Sequence, residues 1–280
     1  MAAATSTETR QLARRPRLRQ PAWRFLVTHR RPLWRSTRTE IHARYAGSLL
    51  GTTWIFLAPV LLLAIYGVVY LAIYDVKTPE LSSTRYMLYI FAGLVPYLTT
   101  AESLTQGAGS IATNRSLLMN TVFPVDLAPV RAVLTALPIA LAGSAIILVG
   151  AAAAGTLHWT ALLLPVVLVL HTLALVGLNW FLSLVAVVVR DVLYVITVVL
   201  VMLLVLSPIA YTPSMVPSGW KFVLAINPFA WFVLVYQKLL ILGEMPSALL
   251  WAGLVAAGLG LFVAGDRFFS WAKRVAMDYV

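Results

Sequence analysis

"WTALLLPVVLVLHTLALVGLNWFLSLVAVVV", Trp159–Val189, runs for thirty-one residues without an aspartate, glutamate, lysine or arginine. A helix rises about 1.5 Å per residue, so roughly 20 apolar residues cross the ~30 Å hydrocarbon layer of a bilayer. This run therefore reads as a transmembrane span. Five more follow from the same criterion: Trp54–Tyr74, Tyr86–Leu104, Leu127–Ala154 with Pro138 inside it, Val192–Ala210 and Ala248–Gly265. Proline and glycine within such runs are tolerated because neighbouring helices resatisfy the freed backbone groups. The whole chain agrees: 61% of its residues are hydrophobic and 11% charged, where a soluble domain carries about 25% charged. Mean hydropathy is +0.88. The expected fold is all-α and integral to the membrane, with six spans packed on each other and on lipid.

Charge sets the expected orientation. The chain has seventeen arginines and four lysines, and the first fifty residues hold eleven of the arginines against only Glu8 and Glu40. With the N-terminus inside, the cytoplasmic segments collect those eleven plus Arg115, Arg131, Arg190, Arg267, Lys273 and Arg274; the outer segments hold Lys77, Arg85, Lys221 and Lys238. A bias of seventeen to four fits the positive-inside rule in one orientation only, with both termini cytoplasmic. The basic excess is read as topology and contact with anionic lipid, with no nucleic-acid partner. The first apolar run starts near Trp54, too late for a secretory signal, so the N-terminus is expected to be retained.

Residues 1–20 read as a disordered basic tail. Over 21–51 apolar residues recur at helical spacing (Leu33, Trp34, Thr37, Ile41, Tyr45) among Arg30, Arg31, Arg35, Arg38 and Arg44. That pattern predicts an amphipathic helix on the cytoplasmic surface, Trp34, Ile41 and Tyr45 in the interfacial layer and Arg35, Arg38 and Arg44 toward headgroups or a partner. The transmembrane domain spans 52–270, and 271–280 form a cytoplasmic tail.

Two stretches depart from the span pattern. Asn114–Val133 ("NRSLLMNTVFPVDLAPVRAV") joins the second span to the third and mixes polar residues with Leu117, Leu118, Met119, Val122 and Phe123 before Pro124. It reads either as a plain loop or, better, as a short helix lying across the membrane face. Phe229–Leu242 ("FAWFVLVYQKLLIL") is apolar but interrupted by Gln237 and Lys238, and Pro213, Pro217 and Pro228 precede it. Fourteen residues are too few to cross, so helices entering and leaving on one side are expected.

Catalytic and metal chemistry finds little support. There is no cysteine, the four histidines have no ligand spacing, and no lysine stands in a GxxxxGK[ST] phosphate loop. The acids Asp75, Glu102, Asp126, Asp191 and Asp266 fall near span ends, so a mid-span proton carrier is not in evidence. His171 and Asn179 share a face of the fourth span, where interhelical hydrogen bonding is the expected role over substrate contact. Tyr66, Tyr70 and Tyr74 form a stripe on the first span that suits either a membrane belt or a surface for stacking sugar rings.

The motifs then become specific. "RYAGSLLGTTWIFLAP" (Arg44–Pro59) resembles the RYxGSxLGxxWxxxxP opening of the first span in ABC-2 type permeases of the polysaccharide-export group. Asn114, Leu117, Leu118, Phe123, Pro124 and Pro129 match that family's NxxLLxxxxFPxxxxP segment, and Arg190-Asp191, "SPIAY" (Ser207–Tyr211) and "NPFAWFVLVYQKLL" (Asn227–Leu240) follow in order. The resemblance covers the chain after about residue 20.

It implies the permease subunit of an ABC transporter in a bacterial plasma membrane, working as a homodimer. The implied cargo is a lipid-linked polysaccharide such as O-antigen, teichoic acid or mycobacterial galactan. The permease itself would be neither an enzyme nor the holder of a cofactor; a separate nucleotide-binding ATPase would bind ATP. The segment Asn114–Pro124 would be the coupling helix that docks on it. The path for the glycan would be lined by Tyr66, Tyr70, Tyr74, Tyr211, Trp231, Tyr236, Gln237 and Lys238, with Lys238 turned to water, glycan or the linker phosphate. The alternative is a multi-span membrane enzyme acting on lipid-linked glycans, which calls for an acid or base pair in an outer loop.

Overall fold

The computed structural model describes residues 21–74, 81–113 and 124–277. The predicted tail 1–20 and Asn114, Leu117, Leu118 and Phe123 of the predicted coupling segment lie outside the described residues. Within them the fold is helical, with no strand.

The amphipathic segment forms two helices, α1 (Ala22–Thr28) and α2 (Arg30–Tyr45). The break at His29 (φ −108°, ψ 27°) has a local cause. Pro32 has no N–H to return to Thr28, and its ring crowds that carbonyl, so a continuous helix is blocked there. Leu33 and Thr37 form the buried face of α2, and Trp34 stands exposed beside them.

Among the described residues, five helices are long and apolar enough to cross a membrane: α3 (Gly51–Ile73), α4 (Ser83–Ala108), α5 (Leu127–Ala153), α6 (Trp159–Val188) and, after shorter pieces, the helix that begins at Ala248. The shorter pieces are α7 (Val192–Leu206), α8 (Lys221–Ile226) and α9 (Pro228–Leu242), and the last helix is α10 (Ala248–Met277). The predicted fifth span, Val192–Ala210, is thus helical only to Leu206. Fifteen residues give roughly 22 Å of helix, short of the ~30 Å core. Pro208 explains the early stop, since it disfavours helical backbone at Ser207 and brings no N–H. The extended continuation is tolerated because Ser207, Ile209 and Ala210 are buried in protein, away from lipid.

Helices α8 and α9 are bent 99° to each other. Asn227 stands at the bend and caps α9, its Oδ1 accepting from the Phe229 and Ala230 amides (3.0 and 3.3 Å) with Pro228 in the first turn. Phe229 meets Tyr97 midway along α4, and Phe232 lies against His171 of α6. At the other end of α9, the Ile241 carbonyl accepts from Arg85 at the start of α4 (2.9 Å). Ahead of α8, the Ala210 carbonyl accepts from Tyr86, also at the start of α4 (2.6 Å), so the segment dips into the bundle and returns to the same end of α4.

The bundle has a basic end, carrying α1, α2 and the C-terminus of α10, and a closed end, carrying this fold-back. One core cluster fills the closed half around Tyr86, Phe91, Phe232 and Tyr236; another fills the basic half around Leu127, Trp180 and Phe269. A close backbone approach joins α6 to α10. A Cβ on Gly177 would lie 2.0 Å from the Leu261 carbonyl oxygen, and one on Gly265 2.1 Å from that of Gly177. Small residues at a crossing allow this in membranes, where packing rather than water expulsion joins helices. Burial differs sharply among spans: 72% of the membrane-length core of α4 is buried, against 11% for α3.

Candidate functional site

At the closed end the aromatic stripe of α3 is formed. Tyr66 and Tyr70 stack at 5.8 Å with nearly parallel rings, and Tyr74 meets Tyr70 edge-on, also at 5.8 Å. The i, i+4 spacing places them on one side of the helix. Tyr66 and Tyr70 lean on the core of the closed half, whereas Tyr74 is exposed. The last turns of α3, Val68–Ile73, widen to π geometry, and so does Lys238–Leu242 at the end of α9. Widened turns of this kind concentrate at functional sites.

The fold-back places its polar residues in contrasting surroundings. Gln237 is buried, and its Nε2 donates to the carbonyls of Pro208 (2.8 Å), Ile209 (3.3 Å) and Tyr89 (3.4 Å). It thereby satisfies the backbone that α7 leaves unpaired after Leu206. Tyr236 is also buried, edge-on to His171. Lys238 is partly exposed and pairs with Glu244 (2.5 Å), and Trp231 packs partly buried against the core. The Tyr211 hydroxyl donates to the Leu206 carbonyl (2.6 Å), closing the turn that ends α7. Below these, Thr100 and His171 share a hydrogen bond (2.9 Å), and Asn179 Nδ2 donates to Ser103 Oγ (2.8 Å). His171 and Asn179 of α6 are thus interhelical ties to α4, as expected.

The basic end holds a second constellation. Asp126, two residues after Pro124, is buried and accepts from Lys273 of α10 (2.7 Å), while its carbonyl accepts from the Trp180 indole of α6 (3.0 Å). Lys273 also lies 4.9 Å above the Phe25 ring of α1. On α10, Asp266 accepts from the Trp23 amide (2.9 Å) and Ser270 from the Ala22 amide (3.1 Å). Arg131 in the first turns of α5 reaches Ser36 (3.1 Å) and Glu40 (3.7 Å) of α2, and Arg44 pairs with Glu102 of α4. The stretch that leads out of the predicted coupling segment is therefore anchored to α2, α6 and α10, and through α10 to α1.

Residues 31–241 match the ABC-2 type transporter family. The chain belongs to it. Curated relatives extend over nearly all of the sequence. One is the O-antigen export system permease protein RfbA of Myxococcus xanthus, 27% identical over 249 residues, which are 88% of this chain and 94% of that protein. Another is the protein of the same name from Klebsiella pneumoniae, 24% identical over 244 residues, 85% of this chain and 92% of that one. The family match runs from α2 to the end of α9, so the fold-back and the junction around Asp126 belong to the ABC-2 region, and α10 lies beyond it.

Of the sequence-predicted path residues, the structure gathers Tyr66, Tyr70, Trp231 and Tyr236 around one core at the closed end of this multi-pass ABC-2 chain, with Lys238 at its rim. Gln237 faces backbone carbonyls. Among the interface residues, Arg44 is engaged with Glu102, Ile41 and Tyr45 are half-buried, and Trp34, Arg35 and Arg38 are exposed. Asp126, Lys273 and Trp180 escaped the sequence reading. One signal did exist: Asp266, Ser270 and Lys273 are spaced 4 and 3 apart, a polar face on an otherwise apolar helix.

Proposed function

We propose that this chain is the permease subunit of an ATP-driven exporter of a lipid-linked polysaccharide in a bacterial plasma membrane. Two copies form the path and a separate ATPase supplies the energy. The family match across α2–α9, with relatives named for O-antigen export aligned over most of the chain, carries this reading. No lysine of the given sequence stands in a phosphate loop, which supports assigning ATP hydrolysis to a separate ATPase. The basic end is cytoplasmic, on the seventeen-to-four distribution of arginine and lysine.

In this reading Asn114–Pro124 docks on the ATPase. Closure of that partner is transmitted through Asp126 into α5, α6 and α10, because Asp126 follows the docking segment and is tied to Lys273 and Trp180. A glycan is too polar to dissolve in lipid, so it needs a lined route. The stacked Tyr66 and Tyr70 on α3 present flat, amphipathic rings suited to sugar faces, and the fold-back covers the route at its outer end. Lys238, paired at the rim, is placed to meet the passing polymer or its linker phosphate.

The test is purification of the tagged chain from its native host with its deletion strain as comparison. An ATPase carrying a phosphate loop should co-purify, and the deletion should accumulate lipid-linked glycan in the inner leaflet. Leu118→Asp should release the ATPase or abolish substrate-coupled ATP turnover. A chain that purifies without an ATPase, from a host whose surface glycan survives the deletion, would refute the reading.

A further inference from the structure

A groove of about 650 Å³ opens at the basic end, where α2 hands over to α3 and both face α4. Its mouth is polar, formed by Arg44, Glu102, Thr105 and Gln106. Its walls are apolar, with Pro59 and Leu62 on α3, Leu98 on α4 and Ile139 on α5. From Trp54 to Leu62 the wall on α3 runs eight residues, roughly 12 Å along the helix axis. A charged mouth above an oily trough is the shape complement of an amphiphile. It is not suited to a free sugar.

We propose that this groove binds the head and first tail segment of a polyprenyl pyrophosphate, with Arg44 exchanging the Glu102 carboxylate for the phosphate oxygens. The inference deepens the exporter reading and rests on it, since it names where the lipid linker of the cargo is held.

Arg44 is the cation at the groove mouth. Helix α2, which supplies Arg44, carries five arginines and one glutamate, and that glutamate, Glu40, faces Arg131. A guanidinium is planar and offers forked donors that fit carboxylate and phosphate alike, so one can replace the other without rebuilding the site. Arg44 and Glu102 are each about a quarter exposed at the mouth, within reach of a ligand arriving from the membrane surface. Thr105 and Gln106 lie three and four residues beyond Glu102, on the same side of α4, and offer neutral donors to the remaining phosphate oxygens. The groove also shares α3 with the aromatic stripe: the head binds near its first turn and Tyr66–Tyr74 occupy its last. A linker held at one end thus sets the attached glycan on the helix that carries the stacking rings.

The Arg44–Glu102 pair allows a test in which two readings diverge. If it is only a structural tie, removing either partner weakens the protein in the same direction. If Glu102 competes with phosphate for Arg44, the two removals act oppositely. The full-length chain with its co-purified ATPase is placed in phosphatidylcholine nanodiscs, and binding of undecaprenyl pyrophosphate is measured. Undecaprenol, inorganic pyrophosphate and phosphatidylglycerol serve as comparison ligands. Arg44→Gln should weaken binding of undecaprenyl pyrophosphate at least tenfold, Arg44→Lys should weaken it less, and Glu102→Gln should tighten it severalfold. Undecaprenol and pyrophosphate alone should bind far more weakly than the joined molecule.

A parallel loss in Arg44→Gln and Glu102→Gln overturns the site, as does equal competition by phosphatidylglycerol, which marks an ordinary lipid groove. Failure of ATPase co-purification strikes the exporter reading instead. Retained ATPase and export with unchanged binding in Arg44→Gln strikes this site alone.

Discussion

Helices α3 and α4 are neighbours of similar length, yet they sit in the protein in opposite ways. Helix α3 is the more apolar and is mostly uncovered; α4 carries Thr99, Thr100, Ser103, Glu102 and Gln106 and is the most enclosed span. In water the order would be reversed, with the oilier helix inside. A bilayer removes that driving force, because lipid tails solvate leucine as well as a protein core does. Polar side chains become the groups that need protein around them, and so a span's polar content marks its centrality. In this chain Thr100, Ser103 and Gly107 of α4 meet His171 and Asn179 of α6, and the contact is made of hydrogen bonds and close packing.

The comparison can be broken most forcefully at the enclosed side. Gly177→Ile forces a side chain into the Leu261 backbone, so α6 and α10 cannot cross as they do. No monodisperse protein should be recovered by size-exclusion chromatography in mild detergent. Gln237→Leu has nearly the same volume but removes the donor to the Pro208, Ile209 and Tyr89 carbonyls. Unsatisfied buried acceptors cost about 1–3 kcal/mol each before relaxation, so a loss of about 3 kcal/mol is expected. It should appear as a large drop in thermal unfolding temperature, with Gln237→Glu no better.

Asp126→Asn is the next smaller perturbation. It leaves Lys273 partly buried without its carboxylate, and since that lysine is a quarter exposed the expected loss is about 2 kcal/mol. Pairing it with Lys273→Met should recover most of the stability. Transport per ATP hydrolysed should stay impaired in the double variant if the junction transmits motion, and return if it only holds helices together. Smallest in stability is Tyr66→Leu with Tyr70→Leu: about 1 kcal/mol, because leucine keeps most of the apolar contact with the closed core and only the ring stacking is lost. Export is expected to fall severalfold all the same. An unchanged export rate would show that the path does not follow that face of α3.

How much of this was legible beforehand follows from the same physics. Trp159–Val189 and four other runs announce themselves by length, and Phe229–Leu242, with Pro213, Pro217 and Pro228 ahead of it, announces itself as too short to cross. The early end of α7 does not show, since Ser207-Pro208-Ile209-Ala210 continues an apolar run and only a partner 28 or 29 residues away makes its extended backbone tolerable. Gln237 illustrates the limit at the site. A polar residue in an apolar helix must avoid lipid, but a water-filled route and a neighbour's carbonyl satisfy it equally, and composition is blind to which is nearby. The Asp126–Lys273 pair lies across 147 residues of sequence. Each partner alone looks like an ordinary charge at a span end.

The glycine crossing of α6 and α10 bears on motion. With backbones touching at Gly177, Leu261 and Gly265, the two helices have no side-chain layer to shear across and must travel together. Helix α4 is bonded to α6 by two further ties and so joins the same rigid frame. On the proposed reading, closure passed through Asp126 moves this frame as one body relative to the sparsely attached pieces, α3 with its widened end and α7 with its extended tail. Spin labels on α6 and α10 should then keep their separation through a turnover in which labels on α3 and α6 do not.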